Sequence, residues 1–429
     1  MAKARQKSGV IAALDVGTTK VACFIALPEP DGTLRVVGVG HHRSRGMRNG
    51  QVASMTDLEA SVRAAVDAAE QMAGQRVDSV LLSVTGGGLS SQNVETQVPV
   101  HGHPVRDVDV RRILDQGRAI AARNEREILH CLPTTYSIDG GDGILDPRGM
   151  FGEMLGVRIH MVSASTGPLR NLATVIDRCH LDMATRVASP YASALSCTVD
   201  DEKEMGVTVL DMGGGTTSIS VFVDGYPVFA DVVPVGGNHV TNDLSKGLST
   251  PPTHAERLKT VWGTVLPSPS DARELLKVPL VGEEEDTEAN EVPRAEIVRM
   301  IRPRIEETFE MVRARLGQAG MLNAAGRRVV LTGGASQLQG LREMAELILD
   351  KQVRLGRPRR LKGLPESASG PAFATCAGLL RYAIQDHVAH AAPGAHQALA
   401  PDEEADDEDP SGKPAGRVGR LMSWFRENF

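Results

Sequence analysis

Along residues 10–40 apolar runs alternate with short polar corners: VIAAL, DVGTTK, VACFIAL, the Asp31-Gly32 turn, then LRVVGV. Short apolar runs rich in Val and Ile, bounded by Gly, Asp and Thr, predict strands joined by tight turns. The plan returns at residues 206–237, GVTVLDMGGGTTSISVFVDGYPVFADVVPVGG. Again a strand ends in Asp, glycines and paired threonines follow, and two further strands flank an Asp-Gly turn. Setting Asp15 over Asp211 pairs the two units almost end to end. This is an internal duplication of a hairpin unit rather than a short-period repeat.

Between the two units the period changes. Residues 58–72 carry apolar positions at helical spacing, and residues 108–122 do so after Asp107, with Ile113 and Ile120 on one face. Residues 83–165 read as a separate insertion, with strand-like stretches at 92–100 and 157–162. Helical spacing returns at 169–177 and 191–196. Residues 241–315 read as mainly helical, interrupted by an acidic loop at 283–288. VVLTGG at 329–334 predicts a buried strand delivered into glycines, then a helix at 341–349 and a last folded helix at 372–388. Residues 389–416 are Ala, Pro, Gly and acid without apolar period, the composition of a disordered tether. Residues 417–429 are periodic again.

Length and charge narrow the classes. The 429 residues suggest two to four domains at ~100–200 residues each. The net charge of −7 is matched by seven acidic side chains within residues 402–409, so the remainder is neutral and no global basic field faces nucleic acid. Cys23, Cys131, Cys179, Cys197 and Cys376 are scattered without CxxC, which reads as buried thiols rather than a disulfide or zinc framework. The apolar run from Val10 meets Asp15 after five residues, too soon for a signal-peptide core, and no run approaches the ~18–20 residues of a membrane span. The expectation is a cytoplasmic chain whose membrane contact is peripheral.

The two glycine–threonine corners carry the chemistry. Such a turn directs successive backbone N–H groups and hydroxyls at one point, and can wrap phosphate oxygens. Two facing turns could clamp a polyphosphate. Asp15 and Asp211, each ending the preceding strand, would sit near a Mg²⁺ ion and hold it through water, and Lys20 adds a cation. One such corner alone is an ordinary turn; two, with TGG after a third buried strand, indicate nucleotide binding. No GxxxxGK[ST], strand-linked GxGxxG, HExxH or GxSxG competes.

LDVGTTK, LDMGGGTTS, VGGNHVTNDL, AERLK, VVLTGGAS and ATCAGLLRYA, with the insertion at 83–165, resemble the actin/Hsp70/sugar-kinase superfamily and, within it, the FtsA family of bacterial cell-division proteins. The resemblance covers about residues 9–388. It implies an α/β, two-lobed actin-like ATPase fold with an inserted α+β subdomain, a disordered tether and a C-terminal amphipathic helix. The implied units are 9–82 with 166–200, to which 372–388 returns (IA), 83–165 (IC), 201–240 with 311–371 (IIA), 241–310 (IIB), the linker 389–416 and the membrane helix 417–429. Asp15, Gly17, Thr18, Thr19 and Lys20 would form the first phosphate loop, and Asp211, Gly213, Gly214, Gly215 and Thr216 the second. Gly237 and Asn238 join the ATP contacts. Glu256 and Lys259, neighbours on one helix face, would hold ribose or adenine, and Gly333, Gly334 and Ser336 would flank the base. A surface ion pair is the plain alternative for Glu256 and Lys259.

The resemblance further implies a filament-forming protein at the division site on the cytoplasmic face of the inner membrane. It would tether the C-terminal tail of FtsZ, through Arg294 and Arg304, and help recruit later division proteins, through 83–165. Hydrolytic relatives carry Glu or Gln where this chain has Ser189, and often Asp where it has Ser218, so hydrolysis is expected to be slow or absent. On a helical plot Val418, Leu421, Met422, Phe425 and Phe429 share an arc of about 100°, with Trp424 about 60° outside it. Arg417, Arg420 and Arg426 flank this face, a composition suited to lying in an anionic bilayer surface. A small-molecule kinase, a chaperone-type ATPase and a pilus-assembly scaffold are the alternatives. The basic run Arg354, Arg357, Arg359, Arg360 and Lys362 reads as a solvated loop, with a surface facing lipid or a filament neighbour as the alternative.

Overall fold

Apolar runs covered on both faces form strands, and the computed structural model, which describes residues 9–122, 125–282 and 290–391, places the first three side by side. They are β1 (Ile11–Val16), β2 (Lys20–Pro28) and β3 (Leu34–Arg43). A small pair, β4 (Met47–Arg48) and β5 (Gln51–Val52), leads into α1 (Met55–Ala73). The Ser54 hydroxyl accepts the Asp57 N–H at the start of α1, and Gly74 ends the helix in the left-handed region. Next come β6 (Ser79–Val84), β7 (Ser90–Pro99), α2 (Asp107–Ala121), β8 (Arg126–Ile138), β9 (Gly141–Ile144) and β10 (Met154–Ser165). Then α3 (Thr166–Arg178), β11 (Asp182–Ala188), α4 (Ser189–Cys197) and α5 (Asp200–Glu204) complete the first half.

The second half begins with β12 (Val207–Met212), β13 (Thr217–Val223) and β14 (Tyr226–Val233). It continues through α6 (Gly237–Gly247), α7 (Pro252–Trp262), β15 (Leu275–Val278), β16 (Asn290–Pro293) and α8 (Arg294–Gln318). It closes with α9 (Met321–Ala324), β17 (Arg328–Thr332), α10 (Leu341–Leu349), β18 (Gln352–Leu355) and α11 (Ala374–Ala391).

Two main sheets result. The first has the order β11-β6-β1-β2-β3. One face of it packs Leu14, Cys23 and Ile25 against Leu58, Val62 and Val175 of α1 and α3. The opposite face packs Ala13 and Phe24 against Leu195 of α4 and Leu379 of α11. Removing such side chains from water contributes roughly 1.5–3 kcal/mol each, and both faces being covered explains why these strands read as unbroken apolar runs. The second sheet has nine strands, β18-β17-β12-β13-β14-β7-β10-β8-β9. Its β12, β13 and β17 carry a core with α6, α8 and α10.

The inserted strands have their own core, in which Ile113 of α2 meets Leu155 and Ile159 of β10. Their sheet is nevertheless continuous with that of the second half, joined at the single ladder pair Asp231 and Ser90. Residues 241–315 are less uniformly helical than expected. β15 and β16 pair antiparallel within them, from Leu275 opposite Pro293 to Val278 opposite Asn290. Four-residue strands give too short an alternation to stand out between helices.

The basic run stays exposed at Arg357, Arg359, Arg360 and Lys362, but three of its side chains are tied down. Arg354 lies on β18 and its guanidinium bonds both Glu202 carboxylate oxygens, at 2.6 and 2.7 Å, and the Cys197 carbonyl. Arg359 donates its Nη1 to the Thr198 carbonyl, and Lys362 bonds Glu29 and Asp31. Thus Arg354 and Arg359 cover the carbonyl end of α4, where cations are favoured. The last helix runs to Ala391, three residues beyond the expected end. The acidic loop 283–288, the tether from residue 392 and the amphipathic segment 417–429 lie outside the described residues.

Candidate nucleotide cleft

Where β1 turns into β2 and where β12 turns into β13, the chain makes the same corner twice. Gly17 N–H donates to the Lys20 carbonyl at 3.0 Å, and Gly213 N–H to the Thr216 carbonyl at 2.8 Å. The flanking registers match as well: Asp15 lies opposite Ala22 in the first hairpin and Asp211 opposite Ser218 in the second. The two corners come from different sheets and touch. A Cβ added at Gly214 would lie 2.3 Å from Thr19 Cγ2, so only bare backbone fits there.

Around this contact lies a cavity of about 530 Å³. It gathers residues of both turns, Asp15, Gly17 to Lys20, Asp211 and Gly213 to Thr216, with Gly237, Asn238, Glu256, Lys259, Gly333 and Gly334. Of the residues singled out from the sequence for nucleotide, Ser336 does not line the cavity. It is buried, and its hydroxyl donates to the Gly333 carbonyl at 2.8 Å, bracing the turn. Gly333 itself has φ +87, and a Cβ on it would lie 2.4 Å from Asp211 Oδ1.

Both aspartates are held by hydroxyls from distant chain. Ser83 Oγ donates to Asp15 Oδ1 at 2.7 Å, and Thr375 Oγ1 to Asp211 Oδ2 at 2.9 Å. Burial raises the Asp15 carboxyl above the usual range, against the hydrogen bond from Ser83 and the charge of Lys20. Burial also pushes Asp211 up to about 6, with the neighbouring Asp15 adding to it. Lys20 is lowered by desolvation, which the two aspartates partly offset. Its ammonium donates to the Ala372 carbonyl at 2.5 Å and stands 3.3 Å from the centroid of the Phe373 ring. Two carboxylates and one ammonium thus share one partly desolvated wall of the cavity, an arrangement that added positive charge would relieve.

On the far wall, Lys259 Nζ donates to Glu256 Oε2 at 2.6 Å, Thr241 Oγ1 at 2.9 Å and the Gly237 carbonyl at 3.2 Å. Thr241 Oγ1 donates to the same Glu256 oxygen at 2.5 Å. The ion pair foreseen as the plain alternative does form, and both partners line the cavity. Ser189 and Ser218 also line it, with hydroxyl oxygens 3.4 Å apart. Sequence reading missed Gly50, Thr85, Gln339, Pro371, Ala372 and Thr375, which line it too. Thr375 begins a helix 164 residues after Asp211, and nothing local marks it as a carboxylate partner.

Arg294 and Arg304 are both on α8 but do not converge, since ten residues turn a helix to directions about 80° apart. Arg294 bonds the Trp262 carbonyl at 2.9 Å and Glu274 at 3.2 Å, while Arg304 pairs with Asp243 at 2.6 Å. The residues proposed for the membrane face, 417–429, are outside the described residues. Among the described residues no helix is long and apolar enough to cross a membrane.

The profile of the family described as Cell division protein FtsA matches residues 208–378, and that of the SHS2 domain inserted in FtsA matches residues 86–163. The Cell division protein FtsA of Agrobacterium fabrum (strain C58) is 42% identical over 435 residues, covering 99% of this chain and 96% of that protein. Among solved structures, the PilM–PilN type IV pilus biogenesis complex is similar with a TM-score of 0.62 at 16% identity, covering 88% of this chain and 99% of that one. MreB5 of Spiroplasma citri bound to ADP is similar with a TM-score of 0.53 at 13% identity, over 89% of this chain and 99% of that one. At these identities the structural likeness speaks for the fold alone.

Proposed function

Because this chain belongs to the FtsA family of bacterial cell-division proteins, we propose that it binds Mg-ATP in the cleft between its halves and polymerises, actin-like, on the cytoplasmic face of the inner membrane. There it anchors FtsZ filaments and helps recruit later division proteins. The observation that carries the nucleotide part is the contact of two matched glycine–threonine turns beside half-buried Asp15 and Asp211. The turns would hold the phosphates, with Lys20 neutralising charge. The residues fit a divalent cation, since two carboxylates line the cavity with Lys20 as the ammonium beside them, and burial raises both carboxyls. Asp15 and Asp211 would hold Mg²⁺ through water, and when bound the ion screens the phosphates. Glu256, Lys259, Gly237, Asn238, Gly333 and Gly334 would enclose the nucleoside, with Ser336 acting through Gly333.

Hydrolysis is slow in this reading. Ser189 and Ser218 stand near the second turn, and a hydroxyl is a poor general base near neutral pH. The subdomain boundaries expected from the sequence are retained, with 83–165 offered to later partners. For the FtsZ tail, the surroundings favour Arg294 over Arg304. Trp262 and Leu275 are exposed beside Arg294, and an acidic, apolar-studded peptide would suit that combination. Residues 417–429 supply the reversible lipid anchor, which neighbouring copies in a filament reinforce through effective concentration. A kinase or chaperone reading has no use for such a segment, and the likeness to the pilus complex is of fold alone.

Calorimetry of the folded, full-length chain with Mg-ATP tests the cleft: saturable heat is expected, and none would overturn it. Co-sedimentation with anionic liposomes tests the anchor. Trp424→Glu is expected to leave most of the protein in the supernatant, and equal pelleting rejects the assignment.

A further inference from the structure

The inserted unit, from β7 to β10, is bonded to both halves of the molecule. Towards the second half, Ala230 N–H donates to Ser91 Oγ at 2.7 Å and Asn93 Nδ2 donates to the Val228 carbonyl at 3.2 Å. Towards the first half, Arg186 Nη1 donates to Glu127 Oε2 at 2.5 Å, and Ala188 N–H donates to His130 Nε2 at 2.9 Å. Opening the cleft by moving the halves apart must break one set or the other, because the insert is a single body with its own core.

The His130 bond falls at a particular place. Ala188 is the residue just before α4, and its successor Ser189 lines the cavity opposite Ser218. His130 is 4% exposed, and burial holds its imidazole neutral by lowering it to about 4. Nε2 therefore keeps its lone pair at neutral pH, with the proton assigned to Nδ1 by the bond that Nε2 accepts. The ring packs edge-on against Tyr191 at 5.3 Å and stands 5.8 Å from Tyr382. Tyr191 in turn stacks at 6.1 Å on Phe222 of β13, the strand leaving the second phosphate turn. Imidazole packing and the hydrogen bond thus both reach the first turn of α4, whose Ser189 meets Ser218 at the turn end of β13.

We propose that His130 is a positioning residue for the nucleotide cleft: through Ala188 it fixes the start of α4, and the insert, fastened to both halves, favours the closed cleft that Mg-ATP requires. This rests on the nucleotide reading above. A ligand that binds only the closed arrangement gains affinity from whatever stabilises that arrangement, and the coupling is reciprocal. Drawing the insert away from Ala188 weakens nucleotide binding, and bound nucleotide holds the insert in place.

The test compares His130→Phe, which keeps a ring without an acceptor, with His130→Gln, which restores an acceptor at similar reach. Full-length chains are titrated with Mg-ATP, and hydrogen exchange is followed over residues 126–138 with and without it. In the wild type, Mg-ATP slows exchange there. The Phe variant is expected to bind about fivefold more weakly and to lose that response, as removal of one neutral hydrogen bond allows. The Gln variant returns affinity to within about twofold of the wild type. Equal affinity of the Phe variant and the wild type, or a Gln variant as weak as Phe, overturns the proposal. If circular dichroism shows the Phe variant unfolded, Glu127→Gln loosens the neighbouring attachment instead; weaker binding supports the proposal and unchanged binding overturns it. A folded wild type that gives no heat with Mg-ATP fails the nucleotide reading itself, and this proposal falls with it.

Discussion

The β1–β2 and β12–β13 corners are the same backbone bearing different side chains. Both close with a glycine N–H on the carbonyl three residues on, and both place an aspartate one residue before the last ladder pair. Yet Thr18 and Thr19 occupy the first turn where Gly214 and Gly215 occupy the second. At their contact, side chains from one meet bare backbone from the other. Lys20 of the first corresponds to Thr216 of the second, so the cation comes from one side only. The aspartates differ too: Ser83 Oγ donates to Asp15 and also accepts the Val16 N–H at 3.2 Å, whereas Thr375 holds Asp211 from the start of a helix. Duplication supplied the geometry, and divergence made the two copies complementary.

Four substitutions, in three comparisons, probe that complementarity. The largest effect is expected of Gly214→Val, whose branched side chain would drive the turns apart. Overpacking of about 1–3 kcal/mol predicts Mg-ATP binding weakened roughly tenfold to a hundredfold, read by calorimetry. Gly-to-Val at this point with unchanged affinity would mean that the turns need not touch.

Asp211→Asn comes next. A folded-state value near 6 against the ordinary 3.8 means that Asp211 favours the nucleotide-free fold while protonated. That contribution is complete below about pH 4, is lost as pH rises through 6, and stays lost above. The asparagine variant should therefore melt higher than the wild type at pH 8, by on the order of 2 kcal/mol, with the gap closing towards pH 4. It should also lose the stabilisation that Mg-ATP gives the wild type. Thermal melts across pH decide this, and a gap that widens on acidification reverses the sign.

The smallest expected effect separates Ser83→Ala from Thr375→Val. The first leaves a buried N–H as well as a carboxylate unpartnered, so it should cost about 1 kcal/mol more in chemical unfolding of the nucleotide-free protein. Equal losses would show that the two aspartates are supported alike.

Much of this arrangement is legible in the sequence because it is written in punctuation. Glycines and threonines directly after buried strands mark both turns, and TGG after β17 marks the third. Spacing places Glu256 and Lys259 on one helix face and allows their ion pair, while their place at the cleft came from the resemblance. What was not legible depends on distant chain. Thr375 meets Asp211 only once α11 returns to the first sheet, and Ser336 turns inward because Gly333 offers a carbonyl at hand. Arg354 has the composition of a loop, yet its neighbour Glu202, 152 residues away, makes it a wall of the structure. The short β15–β16 ladder carries too few residues for a period, and the union of the insert with the second sheet depends on one pair, Asp231 and Ser90, that no local pattern announces.

That union has a mechanical consequence. Nine strands at roughly 4.8 Å apart make a beam about 40 Å across, with β18 at one end and β9 at the other. Its stiffness is uneven, for between β14 and β7 the ladder narrows to a single rung. Torque applied to the outer strands will concentrate at that neck, where the Ser91 and Asn93 bonds to Ala230 and Val228 resist rotation, while β12, which carries Asp211, keeps its place.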